Sequence, residues 1–301
     1  MKSEFYRVDG ILSEVKCQQL FGDRKVNIQD NQLDLCIGEE FLNACKELKT
    51  KPKPLFLEKL FVEEVPLMFC YPQSEQNIPP VFFIHDFEEK KEDHFNDALK
   101  LAQEGFFVIL ADLPLHGERK TKDFDIQFVF DTNPLNRFKK KISIIKKMIE
   151  EFKIILNHIK KGPHKISEFI GIIGFSLGAN AALMAAISIS SIKAVISISP
   201  IIDILKQLGL ETLNTEEIQS INKHDPIDFC HQVYPAALLL LSGLSDKQIN
   251  ILKMKELDKK LIQIYQKSPE HYGYKSYPGI GHFIAPMMLK KSSLWFKRFL
   301  Q

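Results

Sequence analysis

From Phe56 onward, short apolar runs alternate with stretches of helical periodicity, and this alternation constrains the fold more than any other feature of the chain. The strand candidates are Leu57–Val62, Leu67–Tyr71, Val81–His85, Phe106–Ala111, Phe169–Gly174, Ala194–Ser199, Ala236–Ser242 and Tyr272–Tyr277. The helix candidates are Glu92–Gln103, Arg137–Lys161, Leu177–Ile187, Ile249–Gln266 and Ile284–Phe299. Parallel strands need long crossovers, and the crossover helices cover both faces of the sheet, so their strands read as unbroken apolar runs. The segment Glu63-Glu64-Val65-Pro66 has a length that suits a hairpin. The expected architecture is therefore α/β, a mostly parallel eight-stranded sheet with helices on both faces, antiparallel at its start, spanning residues 56–301. Residues 1–55 do not keep this rhythm and end in Lys51-Pro52-Lys53-Pro54-Leu55, a turn-and-linker composition. They are expected to be an N-terminal extension that supports the fold without supplying chemistry, since they hold no histidine.

Composition excludes several partner classes. The net charge is +2 over 301 residues, which gives no reason to expect nucleic acid or an anionic membrane as a partner. The Lys-rich run Lys139–Lys161 carries Ile145, Met148, Phe152, Ile155 and Ile159 at helical spacing, so its lysines form the solvated face of an amphipathic helix. The nearly uncharged stretch Ala179–Leu205 is interrupted by Lys193, Pro200 and Asp203, and fits a buried helix followed by a buried strand better than a membrane span. Cys17, Cys36, Cys45, Cys70 and Cys230 are odd in number and lack CxxC spacing, so neither a disulfide framework nor a zinc site is expected. The start Met-Lys-Ser-Glu-Phe-Tyr-Arg has no apolar run of the signal-peptide kind, and a reducing, cytoplasmic location is expected. No cofactor and no metal are expected, and the oligomeric state is not legible.

The candidate nucleophile is Ser176, in Gly174-Phe175-Ser176-Leu177-Gly178, between an apolar strand and a helix of small residues. A sharp strand-to-helix turn lifts the serine hydroxyl above the sheet and aims helix N–H groups at a reacting carbonyl. Side chains two residues to either side would collide, which calls for both glycines. The other reading of Ser176, a helix N-cap, explains the serine but neither glycine.

A serine hydroxyl needs a base, and an imidazole base needs a carboxylate to fix its tautomer. Asp246 lies just past the apolar run Ala237–Leu241 and is the candidate acid; its alternative role is to cap the helix that follows. His282, in Gly279-Ile280-Gly281-His282, follows the last strand and is the candidate base. Chain order serine, acid, histidine suits a parallel sheet whose strand ends share one edge. His94, His158, His164, His224, His231 and His271 lie among polar or charged neighbours and read as surface residues. The segments Lys120–Asn136 and Ile201–Pro235 emerge at the carboxyl edge of the sheet and are candidate pocket walls, or merely long surface loops.

An oxyanion needs N–H donors. One is expected from the backbone N–H of Leu177. The other is implied by the resemblance of this region to the α/β-hydrolase superfamily, which has a His-Gly pair and then the donor at the place of Ile84-His85-Asp86-Phe87, making Phe87 the expected second donor. Taken together, Phe56 to the C-terminus resembles the α/β-hydrolase superfamily. The segment Asp112-Leu113-Pro114-Leu115-His116-Gly117-Glu118-Arg119 is similar to one in small bacterial serine carboxylesterases of the dienelactone-hydrolase-like and prolyl-oligopeptidase-like group, as is Asp225-Pro226. The resemblance implies hydrolysis of a small-molecule ester without a metal, by Ser176, His282 and Asp246. Dienelactone hydrolases proper use cysteine where this elbow has serine. A second departure is Asp86, where the superfamily usually has glycine. Its side chain is expected to turn outward, where solvent screens its charge. Two other readings are a non-catalytic member of the fold that binds a ligand or partner, and a thioesterase or acyltransferase using the same residues.

Overall fold

A computed structural model describes residues 4–8, 28–29, 32–33, 55–124, 128, 131–207, 209 and 213–301. Most of the 1–55 extension lies outside the described residues, as do Cys17, Cys36 and Cys45.

The strands are β1 (Glu4–Val8), β2 (Leu55–Val62), β3 (Val65–Pro72), β4 (Pro80–Ile84), β5 (Phe107–Ala111), β6 (Ile170–Phe175), β7 (Ile192–Ile198), β8 (Ala237–Gly243) and β9 (Tyr272–Tyr277). They form one sheet in the order β1-β2-β3-β5-β4-β6-β7-β8-β9. The pairs β1–β2, β2–β3 and β3–β5 are antiparallel, and every later pair is parallel. The eight expected strands are all present, and β2 and β3 form the expected hairpin, with Val62 paired to Val65. The ninth strand, β1, comes from the extension and adds to the antiparallel edge. A separate two-rung ladder joins Ile28–Gln29 to Gln32–Leu33.

The longer helices are α1 (Phe95–Gln103), α2 (Pro134–Lys161), α3 (Leu177–Ser188), α4 (Ile251–Ile264) and α5 (Pro286–Leu300). Two apolar layers follow from the two-residue period of the strands. Phe82 and Ile84 of β4 join the layer under α2, α3 and α4, whereas Val81 and Phe83 join the layer under α1 and α5. Phe82 stacks on Phe152 of α2 with ring centroids 4.2 Å apart. The apolar stripe of α2 is buried as its spacing requires, with Ile145, Met148, Phe152, Ile155 and Ile159 all at most 2% exposed. No helix among the described residues is long and apolar enough to cross a membrane. The uncharged stretch after Ala179 resolves into α3 and β7, both inside the domain.

This topology positions a site. β4 lies between β5 and β6, so the chain leaves β4 in one direction and returns past it in the other. The crevice at the carboxyl ends of strands around such a reversal is where open α/β sheets bind ligands. Asp86 follows β4, Ser176 follows β6, Asp246 follows β8 and His282 follows β9, so all four emerge at that edge.

Candidate active site

The turn between β6 and α3 forces Ser176 to φ 53°, ψ −113°, an unfavourable backbone for a residue with a Cβ. Its side chain makes no capping hydrogen bond to α3, so the N-cap reading of this serine fails. Both glycines are required by contact. A Cβ on Gly174 would lie 2.0 Å from the carbonyl oxygen of Gly178, and one on Gly178 would lie 2.4 Å from that of Ile84. The elbow is thus wedged between its own helix and the end of β4.

Asp246 and His282 are brought together. His282 Nδ1 donates to Asp246 Oδ2 at 2.8 Å, and the N–H of Gln248 donates to Asp246 Oδ1 at 2.9 Å. The alternative role for Asp246 is not the one it fills: α4 begins at Ile251, and Asn250 caps it by accepting from the Lys253 N–H at 3.2 Å. The acid loop and the histidine loop are knitted by main-chain bonds, Leu244 N–H to Tyr277 carbonyl and Ser245 N–H to Ile280 carbonyl, both 2.9 Å. Gly243 permits this approach, since a Cβ there would stand 2.2 Å from the Ile280 oxygen. Gly281 meets no such constraint. Within the histidine loop the required glycine is Gly279, at φ 73°, and the close approach of the two loops is met by Gly243 at the end of β8.

The structure corrects the expectation for Asp86. Its carboxylate points inward, accepting from Phe87 N–H at 2.6 Å and from Leu177 N–H at 3.0 Å, both through Oδ1. These are the two donors read from the sequence as the oxyanion pair. The physical reason is local electrostatics: two converging N–H groups, one at the positive end of α3, and the imidazole of His282 outbid solvent for a negative charge. His282 Nε2 lies 3.6 Å from Asp86 Oδ2, an ion-pair distance, and has no hydrogen-bond partner. Burial opposes charge on Asp86, but His282, the two N–H groups and the Ser176 hydroxyl outweigh it and hold the carboxyl below the usual range. Burial likewise opposes charge on His282, while Asp246 on one nitrogen and Asp86 beside the other push its pKa up to about 9.

Two histidines hold the Asp86 loop; His94 was expected at the surface, and no role was read for the His85 side chain. His85 is 1% exposed. The Leu113 N–H donates to its Nε2 at 3.0 Å, so Nδ1 carries the proton and donates to the Asp86 carbonyl at 2.6 Å. Burial keeps this imidazole neutral, its pKa lowered to about 4. His94 is buried rather than on the surface, stacked on Phe83 with centroids 4.7 Å apart. Its charged neighbours are its partners: Nε2 pairs with Glu89 at 2.8 Å and Nδ1 with Asp97 at 3.3 Å. Burial disfavours its charge, but Asp97 and Glu89 raise its pKa to about 9. Glu89 also accepts the Asp86 N–H at 2.8 Å.

The Asp112–Arg119 segment is scaffolding. Asp112 accepts from the N–H and Nζ of buried Lys91 at 2.9 and 2.7 Å and from the Glu118 N–H at 3.0 Å. Arg119 grips Glu151 of α2 through two bonds of 2.9 and 2.6 Å. The segment ties the loops after β4 and β5 to α2 through these contacts.

A cleft of about 500 Å³ opens beside Ser176 and His282. Its apolar wall is Ile142, Ile145, Met184, Ile201 and Ile249, and Arg137, Lys141 and Lys247 give it positive charge with no carboxylate among its lining residues. Both candidate insertions contribute, through Pro134 and through Ile201, Ile204 and His224, but the first turns of α2 form the larger share. His224 is thus a pocket residue and only partly exposed.

The comparisons with known proteins bear on the family and the fold. The chain is 24% identical over 261 residues to "Putative esterase YitV" of Bacillus subtilis (strain 168), an alignment covering 81% of this chain and 99% of that protein. Its fold is similar to that of TT1662 from Thermus thermophilus, with a TM-score of 0.64 at 16% identity over 82% of this chain and 98% of that one. It is also similar to the Pyrococcus furiosus esterase Pf2001, with a TM-score of 0.57 at 16% identity over 85% and 96% of the two chains. The model of the dienelactone hydrolase family matches residues 68–287, from β3 into α5. With most of its length so matched, the chain belongs to the dienelactone hydrolase family and is an ester-hydrolysing enzyme of α/β-hydrolase fold.

Proposed function

We propose that this enzyme is a serine carboxylesterase for short-acyl substrates, working through an acyl-enzyme on Ser176. The observation that carries the reading is the strained elbow that presents Ser176 to the same cleft as an imidazole already held by Asp246 at 2.8 Å. In the reaction, neutral His282 takes the hydroxyl proton through Nε2 as Ser176 attacks the ester carbonyl. The N–H groups of Leu177 and Phe87 receive the oxyanion. His282 then gives its proton to the departing alcohol and activates water to release the acid. Asp246 keeps the Nδ1 proton in place and stabilises the imidazolium, which is the role an orienting carboxylate plays in such sets.

The cleft supports the substrate class. Its apolar wall suits an acyl chain, and the modest insertions that border it, with no large lid over the site among the described residues, favour a short one. Arg137, Lys141 and Lys247 favour a neutral or anionic acyl group over a cationic one. A panel of p-nitrophenyl esters of graded acyl length, run beside Ser176→Ala, tests this. Turnover should fall as the chain lengthens and vanish in the variant; faster hydrolysis of long-chain esters overturns the short-acyl preference.

One observation bears on how readily Ser176 reacts: the donors meant for an oxyanion are taken by Asp86. A fluorophosphonate probe reads this reactivity, because only an activated serine is labelled quickly.

A further inference from the structure

Asp86 fills the place an oxyanion would take. One of its oxygens bonds both candidate donors, at 2.6 and 3.0 Å, and the other faces the imidazole at 3.6 Å. We infer that the resting enzyme is self-occluded, with the Asp86 carboxylate acting as an internal competitor of the substrate carbonyl for the Leu177 and Phe87 N–H groups. This rests on the esterase reading of the same site. The carboxylate must swing out before Ser176 can react, and its departure does two things together. It frees the donors, and it removes one of the two negative charges that hold His282 protonated, the other being Asp246.

The surroundings fit a side chain that moves. The Asp86 side chain keeps 18% of its surface exposed, whereas that of Asp246 has none. The titratable groups facing it come from several elements. His282 approaches from the loop before α5, Lys141 from α2, His116 from the segment after β5, and Glu89 from its own loop. Lys141 gives the displaced carboxylate a counter-charge: its Nζ lies 4.1 Å from the centroid of the Phe87 ring. Glu89 repels it, while Asp246 lies on the far side of the imidazole.

Two substitutions separate occupancy from charge. Asp86→Asn keeps an oxygen for the two N–H groups but loses the charge; Asp86→Ala loses both. Three readouts are compared with wild type: labelling of Ser176 by a fluorophosphonate at pH 7, the His282 pKa by NMR titration, and binding of acetate. Asp86→Ala should be labelled at least tenfold faster, and should bind acetate at least tenfold more tightly, because the carboxylate of acetate re-occupies the vacated donors. The His282 pKa should fall by a unit or more in both variants, while Asp86→Asn gains little acetate affinity. The inference is overturned if Asp86→Ala is labelled no faster and neither its His282 pKa nor its acetate affinity changes. It is equally overturned if Asp86→Ala is labelled more slowly while Asp86→Asn keeps the wild-type rate, since Asp86 would then be positioning the Phe87 N–H. If neither wild type nor variant is labelled, the esterase reading fails. Acetate binding and the His282 titration then still decide whether Asp86 holds the donors.

Discussion

Two carboxylates flank the imidazole of His282, and they differ in how they are held. Asp246 sits at 2.8 Å on Nδ1, fully buried, on a loop laced by main-chain bonds to the histidine loop itself. Asp86 sits at 3.6 Å from Nε2, partly exposed, on a loop anchored through the side chains of His85 and Glu89. A group whose position is fixed by backbone can orient a base through every turnover. A carboxylate on a loop anchored by side chains, and bonded to donors that a substrate carbonyl also fits, can be displaced from them. The difference assigns permanence to one side of the imidazole and exchange to the other, and each prediction below presses on that contrast.

The largest effects belong to the proposed reacting pair, Ser176 and His282. Ser176→Ala and His282→Ala should each lower kcat by about 10⁴–10⁶-fold, and the double variant by little more, because the two act as a unit. Asp246→Asn should cost about 10⁴-fold by leaving Nδ1 with the wrong tautomer. If Asp246→Asn keeps nearly full turnover in an ester-hydrolysis assay, the fixed side of the comparison is wrong and another carboxylate serves.

Next comes pH. With the His282 pKa pushed up to about 9, about one molecule in a hundred carries the neutral base at pH 7. Since kcat/KM reports the free enzyme, it should rise about tenfold per pH unit from pH 7 and level off above about 9. A plateau already reached near pH 7 would show that neither carboxylate holds the imidazole charged.

A similar loss is expected from Gly243→Ala. The added methyl group would stand 2.2 Å from the Ile280 oxygen, so the acid and histidine loops must part. A displacement of about 1 Å at such a site costs about 10²-fold in rate. Full activity in this variant, with the fold retained by circular dichroism, would mean that the knitting of the two loops is dispensable.

These residues also show what a sequence can carry. The sheet was legible because parallel strands buried on both faces must be apolar throughout, and Leu238–Leu241 can hardly be anything else. The elbow was legible because its glycines are demanded by contacts within five residues and by the neighbouring strand end. Strand β1 was not, since a short strand at the sheet edge carries little pattern of its own. The direction of Asp86 was not legible either, because its second donor, Leu177, is 91 residues away. Local charge misled the reading of His94. Glu89 and Asp97 look like the neighbours of a surface histidine, yet they are the partners that allow it to be buried charged. His85 left a usable signal, a histidine ending an apolar strand, where its imidazole bridges two loops.

The smallest effect concerns the side that exchanges, and it is read in stability rather than rate. His94 pairs with Glu89, which accepts the Asp86 N–H, so the charge on this imidazole helps to set the resting position of the loop. Its folded pKa of about 9 lies above the unfolded value of about 6.5. A group raised on folding contributes its full stabilisation below the unfolded pKa and loses it as pH rises through the folded one. His94→Gln should therefore lower stability by about 1–3 kcal/mol at pH 6, the scale of hydrogen bonds to a charged group. The gap between variant and wild type should narrow above about pH 9. His282 titrates in the same range in both proteins, so only the difference between them reports His94. Thermal melts of the pair at pH 6 and pH 10 make the measurement. A gap that stays constant across that interval would mean that His94 is neutral in the folded protein, and that Glu89 is held by something other than its charge.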